Sequence, residues 1–156
     1  MLNICRFWFG ILTFGMALTI PDQEYDLCME LARPGYAVLG LVNDLYSWRK
    51  ERDAAEQAGQ HYVFNAIWVI MKERSVSEDE AKAICADEIR RYTSEYQEIV
   101  ETAKKDPGLS KDTRAYLVSS ILFFSMVPSP SCHEMFQDTP PENCTWLLTR
   151  TRRQCC

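Results

Sequence analysis

The sequence predicts an all-α protein of about six helices followed by an irregular C-terminal segment. Apolar residues recur at helical spacing in successive stretches between Phe7 and Phe124. Helix start signals stand before three of these stretches, at Pro21-Asp-Gln-Glu24, Ser77-Glu-Asp-Glu80 and Ser110. Beyond Phe124, Pro128, Pro130, Pro140 and Pro141 punctuate a segment without a sustained period, and Cys132, Cys144, Cys155 and Cys156 gather there. The chain therefore divides into a helical part, residues 1–125, and a tail, residues 126–156.

Phe7 to Thr19 is apolar almost all round, the pattern of a helix enclosed by others. Behind Met1 to Arg6 the same run also has the form of a signal peptide, though it is too short to span a membrane. No small-x-small cleavage site stands beside Pro21, so an enclosed core helix is the expectation. A small secreted protein is the alternative, and only then would Asn143-Cys-Thr145 be a glycosylation sequon.

Pro21 opens the next helix, with Asp22 and Glu24 in a first turn where negative charge meets the positive end of the helix dipole. Tyr25, Cys28, Met29 and Leu31 keep helical spacing, and Arg33-Pro-Gly35 is expected to stop the helix. Another helix follows from about Tyr36 to Ala55. Gly59 interrupts the pattern, and Tyr62 to Lys72 resumes it as a strongly apolar helix. His61, at its start, reads as structural rather than as a ligand or base. Ser77 and Glu80 form a capping box for a long helix reaching about Lys104. Its buried stripe is Ala81, Ile84, Cys85, Ile89, Tyr92, Tyr96 and Ile99, while Arg90, Arg91, Glu95 and Glu98 read as a solvated charged face. Lys105-Asp-Pro-Gly108 ends it. Ser110 then caps a last helix carrying Tyr116, Leu117, Ile121, Leu122, Phe123 and Phe124.

The chemistry concentrates in Asn43-Asp-Leu-Tyr-Ser-Trp-Arg-Lys-Glu51. On a helix, Asn43, Ser47 and Glu51 fall four residues apart and stack along one face over about 12 Å. They occupy an arc of about 80°, with Val38, Leu41, Leu45 and Trp48 on roughly the opposite, core-facing side. Tyr36 and Gly40 precede the triad on its own face. A carboxylate, an amide carbonyl and a hydroxyl are hard oxygen donors of the kind Mg²⁺ accepts. Lys50 lies beside the row, within reach of a phosphate oxygen. The plain alternative for three such residues at this spacing is a solvated polar face.

The pattern is narrower than its spacing. Asn/Asp-Asp-aliphatic-x-Ser/Thr-x-x-x-Glu is the metal-binding triad motif of class I terpene cyclases, and this chain matches it at every defined position. Five constrained positions recur by chance on the order of once in 100,000 windows. The flanks, Phe14-Gly-Met-Ala-Leu-Thr-Ile-Pro and Asn65-Ala-Ile-Trp-Val-Ile-Met-Lys-Glu, resemble the cyclase domain of fungal terpene synthases. The likeness is greatest to the bifunctional fusicoccadiene and ophiobolin type, and it runs from roughly Phe7 to Phe124. It implies an all-α bundle that ionises a prenyl diphosphate with Mg²⁺ and folds the resulting cation inside an aromatic-lined pocket. It also implies that Asn43, Ser47 and Glu51 hold one Mg²⁺ and that Lys50 helps bind the diphosphate. Phe7, Phe14, Tyr36 and Trp68 are candidate pocket aromatics, although aromatics at helical spacing commonly serve the core.

Three features of the family have no counterpart here. The second metal cluster, Asp-Asp-x-x-Asp or Asp-Asp-x-x-Glu, occurs nowhere in the 156 residues. The arginine that senses diphosphate upstream is also unmatched, since Arg6 stands wrongly relative to Phe7-Trp-Phe. No Arg-Tyr pair follows Phe124, where the family carries one that contacts the diphosphate; the only such pair, Arg91-Tyr92, lies in the preceding helix. The expectation is a C-terminal cyclase fragment without cyclase activity of its own, whose family-like ending has been replaced through a frame change or a retained intron. Cys155-Cys156 resembles a double-cysteine prenylation signal, which a tail of that origin would carry only incidentally.

A net charge of −5 argues against nucleic acid as a partner. Seven cysteines, an odd and scattered set without Cys-x-x-Cys, point away from zinc and from a disulfide scaffold. Cys28 and Cys85 lie on apolar faces, where a free cysteine acts as a small hydrophobe. The remaining expectations are a cytoplasmic protein without a membrane span, with a full-length synthase as a possible partner. A non-enzymatic helical protein that docks on such a synthase is the alternative to a catalytic fragment.

Overall fold

The computed structural model describes residues 2–125, with side chains over 6–120. Six α-helices follow one another: α1 (Leu2–Gly15), α2 (Tyr25–Leu31), α3 (Arg33–Gln57), α4 (Ala66–Arg74), α5 (Glu78–Ala103) and α6 (Lys111–Ser125). A short 3-10 turn, Asp22–Glu24, leads into α2. There is no strand among the described residues. The tail at 126–156 lies outside them, as do the side chains of Ile121 to Phe124.

Helices α3 and α5 form the spine, lying against each other, with α4 and α6 both packed on α5 and α3. The α5 stripe faces inward as its period predicts, with Ala81, Cys85, Ile89 and Tyr96 buried and Ile84, Tyr92 and Ile99 half-buried. From α3, Val38, Leu45 and Trp48 enter the same core. Tyr96 is enclosed and donates its hydroxyl to the Leu117 carbonyl at 2.9 Å, tying α5 to α6. Burial raises its phenol above the ordinary range. Cys28 and Cys85 are free and buried. Burial pushes their thiols up to about 12 and about 11, so neither supplies a thiolate near neutrality.

The start signals act as the sequence implies. Ser77 accepts from the Glu80 N–H at 3.3 Å while Glu80 accepts from the Ser77 N–H at 3.0 Å, closing the capping box of α5. Ser110 Oγ accepts from the Thr113 N–H at 3.1 Å at the head of α6. Arg90 and Arg91 are exposed and pair along α5 with Asp87 and Glu88, the solvated charged face expected there.

Two boundaries and the setting of one helix depart from the sequence reading. Arg33-Pro34-Gly35 does not end α2; it is the first turn of α3. Proline fits a first turn because the N–H it lacks has no partner there, so the break falls at Ala32. Helix α4 begins at Ala66 rather than Tyr62, because Asn65 takes an extended conformation and caps it. Tyr62 and Phe64 are left exposed. The largest difference is α1, which is not enclosed. Leu12 is buried, and Phe9 packs edge-on to Tyr25 and against Tyr116, with ring centroids 5.1 Å apart in both cases. On the other side Phe7 is 65% exposed, Ile11 43% and Phe14 91%. A helix apolar all round needs neighbours all round, and the described chain covers α1 on one side.

Candidate metal site

The motif stands on α3 as one unbroken helix, so Asn43, Ser47 and Glu51 share a face as their spacing requires. Asn43 is exposed, while Ser47 and Glu51 are half-buried. Ser47 Oγ is withdrawn from solvent and has no hydrogen-bond partner among the described residues. Lys50 is exposed beside the row and forms no ion pair among the described residues.

The far end of the row is tied to α4. Asn65 donates from Nδ2 to Glu51 Oε2 at 3.0 Å and to the Asp44 carbonyl at 2.8 Å. Its Oδ1 accepts from the Ile67 N–H at 2.9 Å, capping α4. Asp44 Oδ2 accepts from the next N–H, that of Ala66, at 2.8 Å. Asp44 is thus occupied at the head of α4, which gives a structural role to the carboxylate in the motif that is not one of the three row residues. Sequence reading did not single out Asn65 for chemistry. The available signal was its place immediately before the apolar run Ala66–Met71, where an N-cap belongs.

Next to Glu51 in sequence and off the triad face, Arg52 donates to Glu78 at 2.9 Å, and Lys82 pairs with the same carboxylate at 2.6 Å. Partial burial pushes the Glu78 carboxyl up, and Lys82, Trp48 and Arg52 together outweigh it, leaving it below its ordinary value. The pairs fasten α3 to α5 beside the motif. Neither cation belongs to the triad face.

The candidate pocket aromatics are not brought together. Tyr36 is buried, bonded to the Tyr116 hydroxyl, and lines a cavity with Trp8, Leu12, Ala32, Gly35, Leu39 and Ser120. That cavity holds ≈ 10 Å³, scarcely the space of one water, so it encloses no prenyl chain. Phe7 and Phe14 face outward on α1, and Trp68 sits half-buried on α4 with Lys72 Nζ 5.8 Å from its ring centre. His61 is exposed.

An all-helical chain with an oxygen-donor row on its central helix has the form of one part of a helical-bundle metal site. Residues 3–95 match the model of terpene synthase family 2, C-terminal metal binding, and the chain belongs to that family. It is 48% identical to fusicoccadiene synthase of Phomopsis amygdali over 111 residues, covering 71% of this chain and 15% of that protein. Talaropentaene synthase of Talaromyces verruculosus is 48% identical over 116 residues, 74% of this chain and 17% of that one. Ophiobolin F synthase of Cochliobolus heterostrophus is 36% identical over 110 residues, 70% and 14% respectively. The aligned region thus spans under a fifth of each of these relatives. Among the described residues no helix is long and apolar enough to cross a membrane.

Proposed function

We propose that the chain supplies the Asn43, Ser47 and Glu51 part of the metal–diphosphate site of a class I terpene cyclase, with Mg²⁺ as the metal and a prenyl diphosphate as the substrate. The Ser47 hydroxyl carries this reading. An unpaired buried hydroxyl costs about 1–3 kcal/mol, and this one lies between two further oxygen donors on the same helix face. The donor set suits a hard cation: one carboxylate, one amide carbonyl and one hydroxyl. Bound there, Mg²⁺ supplies the positive charge that stabilises the diphosphate as it leaves its allylic carbon. Glu51 contributes the formal negative charge, and Asn43 and Ser47 contribute neutral oxygens. Lys50 offers an unpaired ammonium to a diphosphate oxygen.

Without an aspartate-rich cluster in the sequence, and with the cavity beside Tyr36 too small for the substrate, the described residues by themselves complete neither the metal set nor the pocket. Incubated alone with Mg²⁺ and geranyl, farnesyl or geranylgeranyl diphosphate, it is expected to yield no cyclic hydrocarbon. Co-expressed with a related synthase from which the corresponding segment has been deleted, it should restore product, and Glu51→Gln should abolish the restoration. Equal restoration by the Glu51→Gln variant sinks the metal role; hydrocarbon from the chain alone refutes its dependence on the rest of a synthase.

The alternative to a catalytic fragment, a non-enzymatic partner of an intact synthase, is separated from it by experiment. On that reading the chain co-purifies with the synthase and alters its rate, and Glu51→Gln leaves both effects unchanged.

A further inference from the structure

We infer that Asn65 is a positioning residue for the metal site, acting through Glu51; the inference rests on the metal-binding reading above. Asn65 is 3% exposed and uses its whole carboxamide. Both Nδ2 bonds go to acceptors, Glu51 Oε2 and the Asp44 carbonyl, and Oδ1 faces a donor, the Ile67 N–H. This pattern admits one orientation of the amide, since a flipped group would set its NH₂ against the Ile67 N–H and its oxygen against two acceptors. The amide is in turn fixed to two elements, because it caps α4 and grips the α3 backbone.

A rigid donor therefore holds one oxygen of the Glu51 carboxylate. A glutamate on a helix has three side-chain torsions, and Asn65 removes the freedom of the last of them without occupying Oε1, which has no hydrogen bond among the described residues. Asp44, two turns before Glu51 on α3, engages the Ala66 N–H and so fastens the head of α4 to α3. Outer partners of this kind orient ligands and tune their affinity, and their removal typically weakens metal binding about 10- to 100-fold.

The test uses the full chain with Mn²⁺ as the probe, in the presence of inorganic diphosphate, read by electron paramagnetic resonance. Asn65→Ser is the informative variant, because serine keeps an N-cap acceptor for α4 but lacks the carboxamide N–H. It should stay helical by circular dichroism and bind Mn²⁺ about 10- to 100-fold more weakly. Combined with Glu51→Gln it should lose little beyond the Glu51→Gln variant alone, since both changes act on one carboxylate. In the unaltered chain, the Asn65 side-chain amide resonances should exchange slowly with solvent, and Glu51→Ala should release them. Unchanged Mn²⁺ affinity in a folded Asn65→Ser variant, or losses that add fully, overturns the positioning role while leaving the metal site standing. Failure of the unaltered chain to bind Mn²⁺ overturns the metal reading itself and the positioning role with it.

Discussion

A hydroxyl withdrawn from solvent without a partner costs a folded chain about 1–3 kcal/mol, and Ser47 carries such a group on α3, with no partner among the described residues. Replacing it with alanine removes the unsatisfied oxygen while leaving the helix with a better former. Ser47→Ala should therefore raise stability by about 1 kcal/mol in urea unfolding and, in the same protein, reduce Mn²⁺ affinity. A variant that loses stability instead would show that the hydroxyl has a partner in solution and is not kept for a ligand. Asn65 is the opposite case, a buried polar group with every hydrogen bond made. The two were not equally legible. Asn43, Ser47 and Glu51 are found by counting along one helix, whereas the link from Asn65 to Glu51 joins residues fourteen positions apart on different helices.

At the scale of elements, local chemistry fixed most helix heads and non-local chemistry fixed the exceptions. The capping box of α5 closes within Ser77–Glu80, so sequence shows it. The start of α6 combines both kinds of control. Ser110 caps it locally, and Glu24, distant in sequence, accepts from the Ser110 N–H at 3.0 Å. The Thr113 hydroxyl and the Ser110 N–H hold the Glu24 carboxyl below its ordinary value of 4.5. A carboxyl depressed in the folded state stabilises fully above its unfolded value, and the stabilisation disappears as pH falls through the lower folded value. Glu24→Gln should accordingly be less stable than the unaltered chain near neutral pH, and the gap should close below about pH 4.5. Urea midpoints measured across that range check it; a gap constant with pH would assign the loss to something other than the charge. The head of α4 was misplaced by apolar periodicity alone, because Tyr62, Val63 and Phe64 continue the pattern while the Asn65 cap, held by Asp44 and Glu51, sets where the helix begins.

At the scale of the whole molecule, α1 shows what the described helices leave unfinished. Phe7, Ile11 and Phe14 lie at i, i+4 and i+7, a single apolar face turned outward, and Phe64 is 96% exposed as well. Exposed patches of this kind promote association. Phe14→Lys should lower self-association in light scattering and leave the thermal midpoint within about 2 °C, since a surface change of this sort alters stability by about 0.5 kcal/mol or less. A large fall in the midpoint would mean that Phe14 is packed in solution.

The sequence by itself determined the all-α class, six helices, the capping signals and the oxygen row on α3, all of which rest on residues within a few positions of one another. Its motif and flanks also carried the family assignment. Only the tertiary structure decided that α1 is covered on one side, that α4 begins at Ala66, that the Ser47 hydroxyl is buried without a partner, and that Asn65 holds Glu51. The physical reason is the same in each case. Burial and hydrogen bonding between helices depend on which surfaces meet, and periodicity along one helix marks a face as apolar or polar without saying what, if anything, lies against it.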